Sequence, residues 1–415
     1  MDSTSKRPPL MPLDEALAKL LASAAPRVGT ESVSTFEADG RVLAQDVVSG
    51  LTVPPRDNSS MDGYAVRSAD CTAAGAVLRV AQRIPAGSVG TPLAAGTAAR
   101  IFTGAQIPEG ADAVVMQEDT AALPEDGGLG RVRIEIVPAA GQWIRRAGED
   151  VAAGDVVLSR GERLTPAALG LAASVGLDRL QVSKRPRVAL LSTGDELVMP
   201  GEVAPEAMKP GSIYNSNRFF MRALLVRLGC EVNDLGIVPD RRETTIEALR
   251  AASAGNDLII TTGGVSVGEE DHIKAAVQHL GHLDLWSLSM KPGKPFAYGR
   301  IGDAHLTGLP GNPVSSFLTF LLLVRPFLLT LQGASRVAPE PIAVRADFDW
   351  PKADRRREFL RARRNAAGGL DVFGNQSSGV LTSMVWGDGV IDTPAGQPFK
   401  AGDTVQFIPF ASLLG

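Results

Sequence analysis

Three acidic positions in the middle of the chain each follow an apolar run, where a strand would hand over to a turn. Glu196, with Asp195 beside it, ends STGDEL (192–197); Asp240 ends GIVPD (236–240); Asp271 ends DLIITTGGVSVGEED (257–271). The last segment also carries Gly263, Gly264 and Gly268. Glycines let the backbone approach a ligand closely, and the N–H groups of such turns suit phosphate oxygens. Carboxylates beside a phosphate repel it unless a hard cation lies between them, and Mg²⁺ typically binds through one or two carboxylates plus substrate phosphates. A glycine-rich turn alone is an ordinary connection, and a lone acid is an ordinary cap. Together they ask for a phosphate-bearing small molecule and a divalent cation held by Glu196, Asp240 and Asp271.

Two further segments could complete such a site. MKPGKP (290–295) presents Lys291 and Lys294 on a stiff loop, an anion clamp. In GLPGNPVSS (308–316), Asn312 is placed to cap and Pro313 to open a helix, a pattern that fits helix initiation and ligand contact equally well. Earlier in the chain, DNSSMDGYAVR (57–67) packs Asp57, Asn58, Asp62 and Gly63 into one loop, and IFTGAQIPEGADAVV (101–115) sets Thr103 and Gly104 after an apolar run. WIRRAGED (143–150) pairs Arg145 and Arg146 with Glu149 and Asp150. Singly these read as polar turns; arginines beside acids in a glycine loop also suit an oxyanion or a metal complex. Two signals are set aside. His272, His279 and His282 lack a zinc-ligand spacing and read as a solvated helix face. The basic run Lys352–Arg364 has Arg357, Arg361 and Arg363 alternating as on a wet sheet face, which leaves room for one anion contact.

These loops need scaffolds. Leu13, Leu17, Leu20 and Leu21 recur at helical spacing, so the chain opens with an amphipathic helix. From about Glu31 to Lys184, short apolar runs alternate with Gly/Pro turns, the mark of a β-rich region. It is interrupted by a helix with Thr165 as N-cap, Pro166 at N1 and Gly176 past its end. From Arg185 the pattern turns β-α-β: strands at RVALLSTG (187–194), CEVNDLGIV (230–238) and DLIITTGG (257–264), with helices at Asn217–Leu228 and Thr244–Ala254. Continuous apolar strands alternating with helices predict a parallel sheet covered on both faces, whose carboxyl edge is the ligand crevice. After about Leu331 short β segments return, predicting a small C-terminal β-domain.

The chain has 415 residues, and single cores stop growing near roughly 250–300 residues, so two to four domains are expected. The net charge of −4 gives no basis for general nucleic-acid binding. Cys71 and Cys230 match no metal or redox spacing and read as free thiols in a reducing cytosol. The N-terminus lacks an apolar signal segment, and Phe317–Leu331, interrupted by Arg325 and Pro326, reads as a core helix rather than a membrane span.

In their order, DNSSMDGYAVR, IFTGAQIPEGADAVVMQE, IRRAGED, STGDEL, GIVPD, TTGGVSVGEED, MKPGKP and GLPGNPVSS resemble the segments of MoeA-type molybdopterin molybdenumtransferases, the family of the gephyrin E-domain, from about Leu13 to Phe410. The resemblance implies an enzyme that inserts molybdate into adenylylated molybdopterin, giving molybdenum cofactor and AMP with Mg²⁺. It implies a homodimer of four-domain subunits, with the preceding molybdopterin adenylyltransferase and cofactor-acceptor proteins as partners; composition and charge add a cytoplasmic protein with no nucleic acid or membrane as partner. The implied units are an N-terminal linker and dimerisation domain (1–48 and 152–183), a β-rich second domain (49–151), a central α/β molybdopterin-binding domain (184–331) and a C-terminal β-barrel (332–415). The active site would lie between the α/β domain of one subunit and the second domain of the other. Asp62, Thr103, Arg145 and Asp150 would come from the second domain. Glu196, Asp240, Asp271, Lys291 and Lys294 would come from the α/β domain. Ser192, Thr193, Gly194, Gly263, Gly264, Ser266, Pro310 and Pro313 would line the pterin phosphate, with Arg361 and Ser378 added from the C-terminal domain. Two positions depart from the family: Ser287 follows Trp286 where a basic residue is common, and Arg56 stands where an apolar one is. A molybdopterin-binding scaffold without turnover and the preceding adenylyltransferase are the alternative readings, and molybdate and tungstate are too nearly isosteric for sequence to separate.

Overall fold

The structure, a computed structural model, describes residues 10–24, 28–264 and 272–414. The apolar runs after Arg185 build a six-stranded sheet in the spatial order Glu231–Val238, Arg187–Thr193, Leu258–Thr262, Ala304–Leu309, Pro295–Ile301, His282–Ser287. The first four strands are parallel. Pro295–Ile301 pairs antiparallel with both its neighbours, Ala304–Leu309 and His282–Ser287, so the sheet is mixed rather than wholly parallel as expected. The reason is local: Ile301 pairs with Ala304 across a two-residue turn, too short for the crossover that a parallel neighbour needs.

Every residue of Leu258–Thr262 and of Ala304–Leu309 is buried, because helices cover both faces. Period-two alternation divides the strands between two cores. Val188, Leu190, Leu258 and Ile260 pack with the Ser216–Arg227 helix, the N-terminal helix Leu13–Ser23 and the long helix Pro313–Leu331. Ala189, Leu191, Ile259 and Leu306 pack with Arg242–Ser253 and His272–Leu280. The Pro313–Leu331 helix has the length and apolarity of a membrane span, yet 89% of it is buried inside the protein, as a core helix should be. The observed helices begin and end within two residues of the expected ones.

In the β-rich half, strands between Gly63 and Ile134 form a second six-stranded sheet. The flanking segments are sewn to each other: Thr30–Ser34 pairs with Arg179–Ser183, and Val47–Val48 with Val156–Leu158. Thr165 caps the Pro166–Ser174 helix as expected, its Oγ1 accepting from Ala168 N at 3.3 Å.

The C-terminal sheet runs Met290–Lys291, Arg357–Arg364, Gly389–Thr393, Thr404–Pro409, Ile342–Arg345, with Leu370–Val372 beside Arg357–Arg364. Its ladders form an open path; an isolated bridge, Ala346 to Leu370, links the Ile342–Arg345 end to the off-path strand Leu370–Val372. The wet sheet face expected for the basic run is corrected here. Arg361 is only 1% exposed and Arg357 is ion-paired to Asp392 and Asp14, because a loop, a short helix and the N-terminal helix cover that face. Of these three alternating arginines only Arg363 is exposed, with its guanidinium 4.5 Å from the Trp386 ring centre. Both cysteines are free and buried, and burial pushes the Cys230 thiol up to about 12.

Candidate active site

The strand Arg187–Thr193 has one later strand on each side, Glu231–Val238 and Leu258–Thr262. The chain therefore reverses its direction of winding there, and the crevice outside the carboxyl ends is where open α/β sheets bind ligands. The strand ends are tied together. Ser192 Oγ and Thr262 Oγ1 are 2.9 Å apart and buried, and Gly263 N donates to Leu309 O at 3.1 Å. Gly263 and Gly264 have φ of 91° and 65°. A Cβ at Gly264 would lie 2.7 Å from Ile273 and 3.0 Å from Thr193 Oγ1, so no side chain fits where the turn meets Thr193.

Carboxylates gather at the same edge. The Glu196 carboxylate folds back over the turn, where a Cβ on Gly194 would be 2.5 Å from its Oε2. Asp195 Oδ1 accepts from Asp240 N at 3.2 Å, joining the ends of two neighbouring strands. Glu196 is exposed and, among the described residues, makes no ion pair. Ser266 and Asp271 lie outside the described residues. Among the described residues no three His, Cys, Asp or Glu side chains converge on one point.

The next strand end leads into Pro310, buried, and Pro313, the first residue of the long helix. Asn312, expected to cap that helix, makes no side-chain capping bond. The C-terminal domain intervenes instead: Ser378 O accepts from Val314 N at 3.0 Å, satisfying one of the helix's orphan donors. Asn217 Nδ2 donates to Gly311 O at 2.7 Å, and Asn215 caps its own helix by accepting from Arg218 N at 3.1 Å. Thr262 and Asn217 were not singled out in the sequence. The run YNSN (214–217) ahead of a helix was the available signal for Asn217.

The two lysines of MKPGKP have different surroundings. Lys291 Nζ lies 2.8 Å from Glu358 Oε1 and 3.4 Å from Asp354 Oδ2, so the expected clamp is committed to internal carboxylates. Burial acts to lower the Lys291 pKa, but Glu358 and then Asp354 outweigh it and raise it. Glu358 is 2% exposed and also accepts from Trp350 Nε1 at 3.0 Å. Lys294 is exposed and, among the described residues, makes no ion pair. It remains the candidate anion contact.

Asp354 supplies a pH prediction. Arg356, through its hydrogen bond, holds the Asp354 carboxyl well below its ordinary value of 3.8. A depressed carboxylate stabilises the fold above its unfolded value, and that contribution is lost as pH falls through the folded one. The stability gap between the protein and Asp354→Asn, read from urea midpoints, should be flat above about pH 5 and shrink below it. A gap that stays constant into strong acid would contradict this pairing.

The second-domain residues form their own group. Asp62 Oδ1 accepts from Thr103 N at 2.7 Å and Thr103 Oγ1 at 2.8 Å, and these bonds lower the Asp62 pKa. Gly63 cannot carry a Cβ, which would run into the Val115 carbonyl. The strand Ile144–Arg145 pairs with Asn58–Ser59, bringing Arg145 to the same loop, exposed. The expected pairing of Arg146 with Glu149 and Asp150 is corrected: its guanidinium bonds Asp57 at 2.6 Å, while its N–H donates to Glu149 at 3.0 Å. Asp150 is exposed, its N–H bound to Val53 O at 3.1 Å.

Arg361 reaches the crevice only indirectly. Its guanidinium donates to Ser383 Oγ, Phe359 O and Ser377 O at 3.1 to 3.3 Å, fixing the loop that carries Ser378. Burial pushes its pKa down to about 10.

Three family descriptions match the chain: "MoeA N-terminal region (domain I and II)" at residues 11–176, "Probable molybdopterin binding domain" at 189–330 and "MoeA C-terminal region (domain IV)" at 343–410. The chain belongs to the MoeA family. A relative from Haemophilus influenzae, named molybdopterin molybdenumtransferase, is 41% identical over 98% of this chain and 100% of its own. One from Mycobacterium tuberculosis, named molybdopterin molybdenumtransferase 2, is 37% identical over 88% of this chain and 90% of its own. A crystal structure of the molybdopterin biosynthesis MoeA protein from Pyrococcus horikoshii superposes with a TM-score of 0.82 at 30% identity, covering 97% of this chain and 100% of that one. The MoeA architecture thus accounts for a multidomain chain with mixed sheets around a central α/β unit.

Proposed function

We propose that the protein is a molybdopterin molybdenumtransferase of molybdenum cofactor biosynthesis, which inserts molybdate into adenylylated molybdopterin and releases AMP. The observation that carries the reading is the crevice at the reversal of the sheet, where glycine turns, hydroxyls and carboxylates meet. Its support beyond that is family membership over nearly the whole chain.

Each element has a role in this reading. Gly263 and Gly264, with Ser192, Thr193, Gly194 and Ser266, cradle the pterin phosphate through close backbone approach. Pro310, Pro313 and Ser378 shape the start of the long helix beside it. Lys294 draws in both the phosphate ester and molybdate, and Lys291, held by Glu358, stiffens the loop. Glu196 and Asp240 stand on adjoining strand ends as donors for Mg²⁺, a set that suits a cation completing its shell with phosphates and water. With Asp271 as a third donor, the bound Mg²⁺ would supply charge neutralisation at the phosphoanhydride, easing departure of AMP as the dithiolene sulfurs take the molybdenum.

We further read the chain as the four units given above, with a C-terminal barrel closed by the Ala346–Leu370 bridge, acting in the cytoplasm as a homodimer. Asp62, Thr103, Arg145 and Asp150 of one subunit then face the crevice of the other. The preceding adenylyltransferase would deliver the substrate and cofactor-acceptor proteins would remove the product.

The test is AMP release from adenylylated molybdopterin with Mg²⁺. Molybdate-dependent release supports the reading. Tight binding without turnover would replace it with a scaffold, and AMP incorporation from ATP into free molybdopterin would replace it with the preceding adenylyltransferase.

A further inference from the structure

The Pro313–Leu331 helix starts at the crevice, and its other end meets a second concentration of charge. A cleft of about 530 Å³ lies between the turn 159–163 and the segment 325–336. Arg325 is twelve residues along the helix from Pro313, or roughly 18 Å at 1.5 Å per residue, so the cleft is separate from the crevice.

Four arginines, Arg160, Arg163, Arg325 and Arg336, line this cleft against one acid, Glu162. The imbalance stands out in a chain whose net charge is −4. Glu162 is already engaged in its own turn, with Oε1 accepting from Ser159 N at 2.9 Å. Arg325 is 7% exposed and bonds main-chain carbonyls: Leu413 O at 2.9 Å, Val337 O at 3.0 Å and Ser412 O at 3.4 Å. Burial and the neighbouring charge of Arg163 push its pKa down to about 10. A desolvated cation beside a second cation is unfavourable by itself and favours an anion between them.

The walls are fixed. Ser335 N donates to Gly161 O at 2.9 Å, and a Cβ on Gly161, whose φ is 85°, would lie 2.9 Å from Gly333 O. The two sides cannot collapse onto each other to hide the charge. The guanidinium fork suits carboxylate and phosphate alike, but the excess of three positive charges favours a multiply charged group over a single carboxylate. We propose that this cleft binds a small phosphate-bearing anion at a site separate from the substrate crevice.

The experiment is calorimetric titration of the full-length protein with inorganic pyrophosphate. Arg160 and Arg336 are exposed, so Arg160→Gln with Arg336→Gln should leave the fold intact. Pyrophosphate should bind the unaltered protein, with affinity falling at least about tenfold in the double variant and holding in Lys294→Gln, which alters the crevice. Binding should also weaken as salt is raised. No binding to the unaltered protein, equal affinity in the double variant, or a loss confined to Lys294→Gln would each overturn the proposal. A failure here leaves the reading of the crevice untouched, since the AMP-release assay tests that separately.

Discussion

Glu196→Ala is expected to lower molybdate-dependent AMP release by about a hundredfold or more, the scale seen when one well-placed electrostatic group is removed from a reaction centre. Stability should change by no more than about 0.5 kcal/mol, because the side chain is exposed and without an ion pair among the described residues. Asp240→Ala should behave alike in turnover. If the two carboxylates hold one cation, combining them should cost little more than either alone, since groups acting as a unit are strongly non-additive. Raising Mg²⁺ should restore part of the rate in each single variant. A double variant whose losses multiply, or single variants at full rate, would show that the two residues do not share a cation.

Arg361→Ala should destabilise the fold by about 3–5 kcal/mol, the largest structural effect expected of any site residue. The side chain is 1% exposed, and three acceptors, Ser383 Oγ, Phe359 O and Ser377 O, depend on it. Truncation removes all three bonds, two of them buried, and opens a cavity, while Ser383 Oγ keeps only its own bond to Val380 O. The loop that carries Ser378 would loosen, and with it the bond from Val314 N to Ser378 O at the start of the long helix. Ser378→Ala, by contrast, keeps that main-chain acceptor and should cost little. Urea denaturation distinguishes the two; a loss below about 1 kcal/mol for Arg361→Ala would mean that the loop holds itself.

The contrast between these residues shows what patterning can reveal. The Arg187–Thr193, Glu231–Val238 and Leu258–Thr262 strands were legible because burial on both faces writes a continuous apolar run. Their ends located Glu196 and Asp240 without any tertiary knowledge. The hairpin strands at Pro295–Ile301 and Ala304–Leu309 were not recognised, and with them the antiparallel edge, since they are divided by a turn of Gly302 and Asp303 rather than by a helix. Arg361 was assigned to a wet face because alternation tells which residues share a face, not whether another element covers it. The ion pairs of Lys291 with Asp354 and Glu358 leave no trace in the local sequence, because the strand pairing that sets Lys291 beside Glu358 joins segments more than sixty residues apart. Asp62 and Thr103 were each picked out, yet their contact spans 41 positions and only the fold brings them into register.

Diffraction from crystals grown with adenylylated molybdopterin and Mn²⁺ in place of Mg²⁺ tests the central claim most directly, since the manganese can be located by its anomalous signal. Manganese is expected within coordination distance of Glu196 and Asp240, with the pterin phosphate on the Gly263–Gly264 turn. Manganese and nucleotide bound together elsewhere, with that strand edge vacant, would contradict it.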